Sequence, residues 1–238
     1  MEAIILAGGK GSRLQTVVHD RPKPLALVGR HPFLSHLFDY LLRQGVTHLV
    51  LSVGYKCDHI INYYGSSYKG VPISYAVENE PLLTGGAIKN SESFLLEEEP
   101  VVVVNGDTYC PIDLKAAVEK FKSYKADVLI PVKYVADTSR YGTIKFDKGD
   151  RILNFIEKHG GHGYINVGSY IIDRNLIKNF SNRIFSFEKD FLEKTCDKQR
   201  FFVLPIKNFF IDIGVPRDYF RACEIFNNGQ IKNEFSET

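Results

Sequence analysis

The sequence predicts an α/β fold: a single-domain, Rossmann-like mixed sheet, mostly parallel, with helices on both faces and a small added β region that covers one side of a cleft. Short apolar runs alternate with helical patterns through about the first half of the chain, which is typical of a parallel sheet. β-type segments follow one another closely after Tyr141. Polar turns rich in glycine or aspartate come directly after several apolar runs, so we expect a ligand at the carboxyl edge of the sheet.

The first half supplies five strands and two helices. The strands are short apolar runs bounded by polar turns, and the valine run that begins at Val101 is the clearest central strand. Helical spacing of apolar residues marks both helices. Gly45 ends the first helix, and Asp113 is placed to cap the second. The predicted strands cover residues 3–7, 48–54, 72–78, 101–107 and 127–135, and the predicted helices cover residues 31–44 and 113–124.

The second half adds the β region and a closing helix. Its strands are predicted beside the main sheet, because three β-type segments come in close succession. The last helix begins with Pro216, a residue that favours the first turn. No repeat, low-complexity tract or linker interrupts the chain, so we predict one domain over residues 1–238. The predicted strands cover residues 141–147, 152–158, 164–173, 201–205 and 208–215, and the predicted helices cover residues 174–180, 187–194 and 216–226.

Composition argues against several classes of protein. The 238 residues carry a net charge of +2, which is too small to indicate nucleic acid or an anionic membrane as a partner. No apolar run approaches the ~20 residues that a spanning helix needs, and we expect no secretion signal. The cysteines are scattered without a CxxC pair, so we expect free thiols in a reducing compartment. They are Cys57, Cys110, Cys196 and Cys223.

The opening segment, MEAIILAGGKGSRL, joins an apolar strand to a glycine-rich turn. Gly8, Gly9 and Gly11 leave backbone N–H groups open, and phosphate oxygens approach the main chain most easily where no Cβ intervenes. A tight turn without a ligand explains the glycines about as well. Two phosphate motifs do not fit: Lys10 is followed by glycine rather than by serine or threonine, and Leu14 replaces the third glycine of a dinucleotide fingerprint.

Two basic and two acidic residues are further candidates for a site at this turn. Arg13 follows it directly, and Lys23 lies between two prolines that stiffen its backbone. Two cations beside a glycine turn suit a polyphosphate undergoing chemistry. Asp107 and Asp212 each end an apolar strand, where a carboxylate is well placed to bind a metal ion. A turn or helix cap is the alternative for each acid, and Asp113 fits that alternative better than Asp107 does.

Together these residues resemble a known signature. Gly8-Gly9-x-Gly11-x-Arg13-Leu14, followed by Pro22-Lys23-Pro24-Leu25, is similar to the signature of the sugar-1-phosphate nucleotidyltransferases. The resemblance covers nearly the whole chain. Within the family it is strongest to the short bacterial enzymes that make GDP-D-glycero-α-D-manno-heptose, the D-glycero-α-D-manno-heptose 1-phosphate guanylyltransferases. The segment EPLLTGGAIKN also resembles mannose 1-phosphate guanylyltransferases and some uridylyltransferases.

The resemblance implies an enzyme that makes an NDP-sugar and pyrophosphate from an NTP and a sugar 1-phosphate. The sugar phosphate is itself a ready nucleophile, because its second pKa is about 6, so no serine, cysteine or general base is required. Positioning and charge neutralisation are then the tasks of the protein. The resemblance implies Arg13, Lys23 and Asp107 as catalytic residues, and Mg²⁺ bound by Asp107 and Asp212.

The resemblance also implies binding residues in each half of the chain. Residues 1–125 would mainly bind the nucleotide, and residues 126–238 would mainly bind the sugar and supply the closing helix. His159 stands where the family often has proline, and the glycine-rich loop after it departs from the family pattern. The expected nucleotide contacts are Leu6, Ala7, Gly8, Gly9, Gly11, Ser12, Arg13, Glu80, Thr84, Gly85, Asn105 and Gly106. The expected sugar contacts are Thr108, Gly142, Glu157, Lys158, Asn166 and Gly168.

Base, sugar and assembly stay open at this stage. The resemblance places Glu80 at the nucleobase, where it is able to accept hydrogen bonds from the N1–H and 2-amino edge of guanine. The resemblance also implies GTP and the heptose 1-phosphate as the preferred substrates, for capsule or surface polysaccharide synthesis. The alternatives are uridylyl, thymidylyl or cytidylyl transfer to another sugar 1-phosphate, and a non-catalytic nucleotide-binding regulator. Leu14 disfavours a dinucleotide oxidoreductase. We expect a cytoplasmic protein without nucleic-acid or membrane partners, and a homodimer is one assembly compatible with the resemblance.

Overall fold

The computed structural model of the chain describes residues 1–98, 100–156 and 160–228. In its first half, strands and helices largely alternate. The strands are β1 (Glu2–Leu6), β2 (Leu27–Val28), β3 (His31–Pro32), β4 (His48–Val53), β5 (Ser67–Tyr68), β6 (Val71–Val77), β7 (Val101–Asn105) and β8 (Thr108–Tyr109). The helices are α1 (Phe33–Arg43), α2 (Cys57–Tyr64), α3 (Leu83–Ser91) and α4 (Leu114–Ser123), and single 3₁₀ turns cover Lys23–Leu25 and Glu92–Phe94.

The second half is richer in strands. They are β9 (Val128–Val135), β10 (Thr143–Phe146), β11 (Ile152–Ile156), β12 (Gly163–Asn166), β13 (Ser169–Ile172), β14 (Phe201–Ile206) and β15 (Ile211–Asp212). The helices are α5 (Arg174–Lys178), α6 (Glu193–Thr195) and α7 (Pro216–Asn227), and a π-helix covers Phe187–Leu192 directly before α6. As predicted, Asp113 caps α4 by accepting a hydrogen bond from the N–H of Ala116 (2.9 Å), and Pro216 opens α7.

One mixed sheet organises the fold, as the sequence predicts. In the described residues its strand order is β11–β10–β12–β9–β13–β7–β1–β4–β6–β5, and β14 pairs with β9 beside this path. Strands β6, β4, β1 and β7 are parallel neighbours. Strand β13 is antiparallel to both β7 and β9, and β12, β10 and β11 extend the sheet from there. The pairs β2–β3 and β8–β15 lie apart from this sheet.

Side chains of β1 alternate between two hydrophobic cores. Ala3 and Ile5 belong to the core that includes residues of α1, α4 and α7, whereas Ile4 belongs to the core that includes residues of α3 and α5. All three side chains are fully buried. A strand covered on both faces is apolar on both sides, which explains the unbroken apolar run at residues 3–6. The prediction of helices on both faces is therefore confirmed.

Some segments differ from the sequence-based prediction. Residues 164–173 form two strands, because Gly168 takes a left-handed conformation with φ +72° between them. Of residues 208–215, only Ile211–Asp212 pairs as a strand. Residues 187–194 are helical as predicted, although a π-helix precedes α6. Residues 79–90, for which no helix is predicted from the sequence, contain most of α3, and α2 was not predicted either.

The parallel strands end at a common edge. Because β1, β4, β6 and β7 run in the same direction, the residues that follow them, such as Gly8, Gly54, Glu78 and Gly106, lie at that edge. The sequence predicts the ligand cleft at this place. None of the helices in the described ranges combines the length and the apolar character required to span a bilayer.

A buried hydrogen-bonded group lies at the opposite edge of the same strands. The Glu2 carboxylate contacts His48 Nδ1 at 2.6 Å and accepts hydrogen bonds from the backbone N–H groups of Leu96 and Glu97, and His48 Nε2 lies 2.9 Å from Ser74 Oγ. Burial raises the pKa of the Glu2 carboxyl, but the bonds from His48, Glu97 and Leu96 together outweigh it. The pKa of Glu2 therefore lies below its ordinary value.

We predict that Glu2→Gln destabilises the protein in a pH-dependent way. A carboxyl whose pKa is lowered on folding contributes stability above its unfolded pKa, and this contribution is lost as the pH falls through the folded pKa. At about pH 7 the variant should lose about 1–3 kcal/mol of unfolding free energy. Below about pH 4 its difference from the wild type should shrink.

Urea unfolding followed by circular dichroism at the two pH values measures this difference. Glu119→Gln, a change at an exposed position of α4, is the matched control and should have little effect. A loss in Glu2→Gln that is equally large in acid would contradict the prediction.

Candidate active site

A cleft of about 640 Å³ opens at the carboxyl edge of β1, β6 and β7. It brings together residues that are far apart in the sequence. Those predicted to bind nucleotide or metal that line the cleft are Leu6, Gly8, Gly9, Glu80, Thr84, Asn105 and Asp107. The glycine turn and the strand end at Asp107 are therefore neighbours in the structure, as the order of β1 and β7 in the sheet requires.

Four further predicted nucleotide contacts lie behind or beside this wall. Ala7 is buried, and its N–H donates to the Ser52 carbonyl at 2.8 Å. The Gly106 N–H donates to the carbonyl of Leu6 at 2.9 Å. Gly11, at φ +61°, lies against the Lys23 side chain, and Ser12 is exposed in the same turn. These residues shape the turn that borders the cleft.

Gly8 packs directly under the side chain of Glu78. A Cβ on Gly8 would lie 2.5 Å from Glu78 Oε1, so only glycine fits while the acid stays in place. Glu78 is itself fixed by hydrogen bonds from Ser52 Oγ (2.8 Å) and from the N–H of Leu82 (3.2 Å). One carboxylate thus connects the glycine turn, the end of β4 and the residue before α3. Glu78 was not identified from the sequence.

Lys23 and Asp107 form an ion pair at the edge of the cleft. Lys23 opens the 3₁₀ turn Lys23–Leu25, which follows Pro22. Its side chain is 15% exposed and that of Asp107 is 26% exposed, so the pair is partly withdrawn from water. The structure therefore brings Lys23 into direct contact with Asp107. The sequence related these two residues only as neighbours of one proposed phosphate ligand.

Asp212 lies beside Asp107. Strand β15 is antiparallel to β8 and places Asp212 opposite Thr108, while the N–H of Ile213 donates to the Asp107 carbonyl at 3.0 Å. Burial, followed by the charge of Asp107, raises the pKa of Asp212, against the opposing effects of the Gly214 N–H and nearby cations. The two acids that the sequence analysis paired are thus close enough to repel one another.

Asp212 has a cation partner of its own, Arg140. Arg140 Nη2 lies 2.8 Å from Asp212 Oδ2, and Arg140 Nη1 bonds Asp218 of α7. Arg13 is exposed, and its Nη2 comes within 3.5 Å of the position that a Cβ on Gly214 would take. The pair of acids is therefore surrounded by positive side chains from both halves of the chain. Arg140 was not identified from the sequence.

Two carboxylates are a sparse donor set for a metal ion. In the described part of the chain, no group of three or more histidine, cysteine, aspartate or glutamate side chains is placed to hold one. Mg²⁺, however, commonly uses one or two carboxylates and completes its shell with substrate phosphates and water. The oxygen donors of Asp107 and Asp212 fit that pattern, and the raised pKa of Asp212 reflects a place where added positive charge is favourable.

The predicted sugar contacts divide into two groups. Thr108 is buried, and its hydroxyl donates to Asp107 Oδ1 at 3.3 Å. The Gly142 carbonyl accepts from the N–H of Asn166, and the Asn166 side chain accepts from the N–H of Gly168 at 2.9 Å. The Gly168 carbonyl in turn accepts from the backbone N–H of the cleft residue Asn105 at 2.8 Å. Glu157 and Lys158, the second group, lie outside the described residues.

The segment expected to meet the nucleobase contains the first turn of α3. Gly85 has its N–H bonded to the Phe185 carbonyl at 2.9 Å, and a Cβ there would lie 2.2 Å from the Phe185 ring. A glycine is thus required at position 85, because the Phe185 ring packs against this turn of the helix. Thr84 lines the cleft, and Glu80, also in the wall, is half exposed and pairs with Arg183 at 2.8 Å.

Several cleft residues carried no recognisable signal in the sequence. Lys10, Tyr55 and Leu83 line the cleft beside the glycine turn and α3. Leu83 has φ +61°, a left-handed conformation that is uncommon for leucine, and the residue is 52% exposed. No sequence pattern marks a leucine for such a conformation. Lys10 was considered only as part of a phosphate motif that did not fit.

Known proteins resemble this chain over most of its length. The D-glycero-α-D-manno-heptose 1-phosphate guanylyltransferase of Aneurinibacillus thermoaerophilus is 43% identical over 93% of this chain and 96% of its own length. The protein of the same name from Campylobacter jejuni is 39% identical over 92% of this chain and 97% of its own length.

A solved structure agrees in fold as well as in sequence. HddC from Yersinia pseudotuberculosis is 41% identical, with a TM-score of 0.83 over 94% of this chain and 99% of that chain. Its complex with GMP-PN gives 40% identity and a TM-score of 0.82 over the same shares. The predicted fold class is thus confirmed. Because residues 2–228 also match the family model described as nucleotidyl transferase, the chain belongs to the nucleotidyl transferase family.

Proposed function

We propose that the chain is a guanylyltransferase that makes GDP-D-glycero-α-D-manno-heptose and pyrophosphate from GTP and D-glycero-α-D-manno-heptose 1-phosphate. The two relatives that carry this name are similar over nearly their full lengths, and HddC binds GMP-PN. The observation that carries the proposal is the meeting of Asp107, Asp212 and Lys23 at the edge where the glycine turn lies. The enzyme would work in the cytoplasm and supply a capsule or another surface polysaccharide.

The reaction replaces one P–O bond by another. An oxygen of the sugar 1-phosphate forms a bond to the α-phosphorus of GTP. The bond between that phosphorus and the oxygen of the β-phosphate breaks, and pyrophosphate leaves with the electron pair. A phosphate monoester is largely dianionic near neutral pH, since its second pKa is about 6. No side chain therefore has to remove a proton, and the protein contributes position and charge.

Lys23 and Arg13 are the proposed source of that charge. Lys23 is held close to the cleft by its short turn and by Asp107. Arg13 reaches from the glycine turn towards Gly214, beside Asp212. We propose that these two cations stabilise the transferring phosphoryl group and the departing pyrophosphate. Preorganised positive charge is most effective where water is partly excluded.

Asp107 and Asp212 are the proposed ligands of Mg²⁺. The ion, when bound, would neutralise charge on the phosphate oxygens. In the structure these carboxylates pair with Lys23 and Arg140, so each acid already sits among charges that balance it. Arg140 is also bonded to Asp218, and it therefore keeps a partner if Asp212 turns to another cation.

The base and sugar subsites complete the proposal. Glu80, which lies in the cleft wall, would accept from the guanine edge. The sugar and its phosphate would contact Thr108, Gly142, Asn166 and Gly168, together with Glu157 and Lys158. In this arrangement residues 1–125 mainly bind the nucleotide and residues 126–238 mainly bind the sugar. The proposed assembly is a homodimer.

A panel of NTPs and sugar 1-phosphates, followed by pyrophosphate release and product mass, tests the proposal. We expect the highest kcat/KM for GTP with the heptose 1-phosphate. A different NDP-sugar as the preferred product would keep the reaction class and replace the base or the sugar. Tight GTP binding without pyrophosphate release from any pair would instead indicate a nucleotide-binding regulator.

We predict that Asp107→Asn and Asp212→Asn each lower kcat/KM by roughly 10²–10³-fold, as expected when a charged group at the reacting phosphates is removed. Both variants should also bind Mn²⁺ more weakly in the presence of GTP, measured by electron paramagnetic resonance. Asp197→Asn, a change at an exposed acid outside the cleft wall, is the matched control. Unchanged Mn²⁺ binding in both cleft variants would refute the proposed metal site.

We predict that Glu80→Gln weakens selection for guanine. Loss of a charged acceptor should raise the KM for GTP by roughly tenfold or more, while rates with UTP or CTP should change little. Competition between GTP and UTP in one reaction, resolved by product mass, measures the selectivity directly. If the ratio of GDP-sugar to UDP-sugar stays at the wild-type value, Glu80 does not determine the selection of the base.

A further inference from the structure

The first turn of α3 is held by a segment from the second half of the chain, residues 185–188, named here the capping segment. The Phe185 N–H donates to the Leu82 carbonyl at 3.2 Å, and the Phe185 carbonyl accepts from the N–H groups of Gly85 (2.9 Å) and Gly86 (3.2 Å). The first N–H groups of a helix have no partner inside it. Here the capping segment supplies partners for two of them, so a wall of the nucleotide cleft depends on residues far along the chain.

Glu188, the last residue of the capping segment, collects three side-chain hydrogen bonds. Its Oε2 accepts from the hydroxyls of Thr84 and Ser186, the latter at 3.0 Å. Its Oε1 accepts from the Tyr170 hydroxyl at 2.8 Å. Thr84 is fixed a second time, because its oxygen accepts from the Phe187 N–H at 2.9 Å. Glu188 therefore connects a residue of the cleft wall with strand β13.

The connection continues to the proposed sugar contacts. Asn166 Nδ2 donates to the Tyr170 hydroxyl at 2.6 Å, and Asn166 Oδ1 accepts from the Gly168 N–H at 2.9 Å. An ionised carboxylate only accepts, so the Tyr170 hydroxyl must donate to Glu188 and accept from Asn166. Glu188 thereby supports, through Tyr170, the same orientation of the Asn166 amide that the Gly168 N–H requires.

We propose that Glu188 is a positioning residue that couples the nucleotide and sugar subsites. The proposal rests on the function proposed above, because it takes Thr84 to lie at the nucleotide and Asn166 at the sugar. The Glu188 carboxylate holds Thr84 directly and Asn166 through the Tyr170 hydroxyl, so ordering of one by its ligand favours the ordered position of the other. Coupling of this kind is reciprocal, and each ligand raises the affinity for the other by the same factor.

Glu188→Gln is the decisive variant, because glutamine keeps the size and replaces one accepting oxygen by a donating NH₂ group. Either Tyr170 or the Thr84–Ser186 pair then faces a donor, and the directed chain of hydrogen bonds is broken. Tyr170→Phe removes only the hydroxyl between Glu188 and Asn166, and it serves where the first variant does not fold. Glu193→Gln, an exposed acid of α6, is the matched control.

The measurement is the Kd of a GTP analogue whose α,β-bridging oxygen is replaced by NH, so that no turnover occurs. Calorimetry with and without saturating heptose 1-phosphate gives the coupling factor. We expect the wild type and Glu193→Gln to show a factor of about fivefold or more. In Glu188→Gln and in Tyr170→Phe the factor should fall to about one, and the double variant should lose no more than either single variant. Thermal unfolding confirms that each variant is folded.

Two results would overturn the inference while leaving the proposed function intact. One is a wild-type enzyme that releases pyrophosphate but shows no coupling. The other is coupling that persists in folded Glu188→Gln and Tyr170→Phe. Absence of pyrophosphate release from the wild type with every substrate pair would overturn both the inference and the proposed function.

Discussion

The site depends on one electrostatic constraint: two carboxylates share a partly buried place. Asp107 directly precedes β8, and Asp212 ends the neighbouring strand β15. Burial and the charge of Asp107 together disfavour the charged form of Asp212. Charges in such a place are stable only where opposite charges are close. Lys23, in the turn near the start of the chain, forms an ion pair with Asp107, and Arg140, in the second half, forms one with Asp212. The surrounding loops are arranged around this balance, which is also what a phosphate-transferring site requires.

The sheet explains why such distant residues meet. Parallel strands β6, β4, β1 and β7 deliver their carboxyl ends to one edge, and each end carries a residue that the cleft uses. Glu78 then joins the glycine turn to the residue before α3, and the capping segment joins α3 to β13 through Glu188. The cleft wall that contains α3 is therefore not formed by the first half alone, because α3 is completed by hydrogen bonds from the capping segment.

The sequence predicted the buried strands and the glycine turn because their signals are local: apolar runs reflect burial on both faces, and Gly8 reflects a close approach. It predicted that Asp107 and Asp212 act together, and they lie side by side. Helix α3 was not predicted, because Gly85 and Gly86 are typical of loops and the carbonyl that accepts from their N–H groups belongs to the distant residue Phe185. Arg140 and Glu188 were missed for the same reason, because only the tertiary structure gives them their neighbours. Which residues contact each substrate stays a prediction.

The placement of β13 has a consequence for how the protein is made. Strand β7 is paired on one side by β1 and on the other by β13 (Ser169–Ile172). During synthesis, the valine strand therefore emerges from the ribosome long before its second neighbour exists. An apolar strand with an open edge is a template for association with other chains. Strand β13 can pair with β7 only once most of the polypeptide has been translated. Until then the nascent chain has an exposed edge of β7, which a chaperone would shield from other chains.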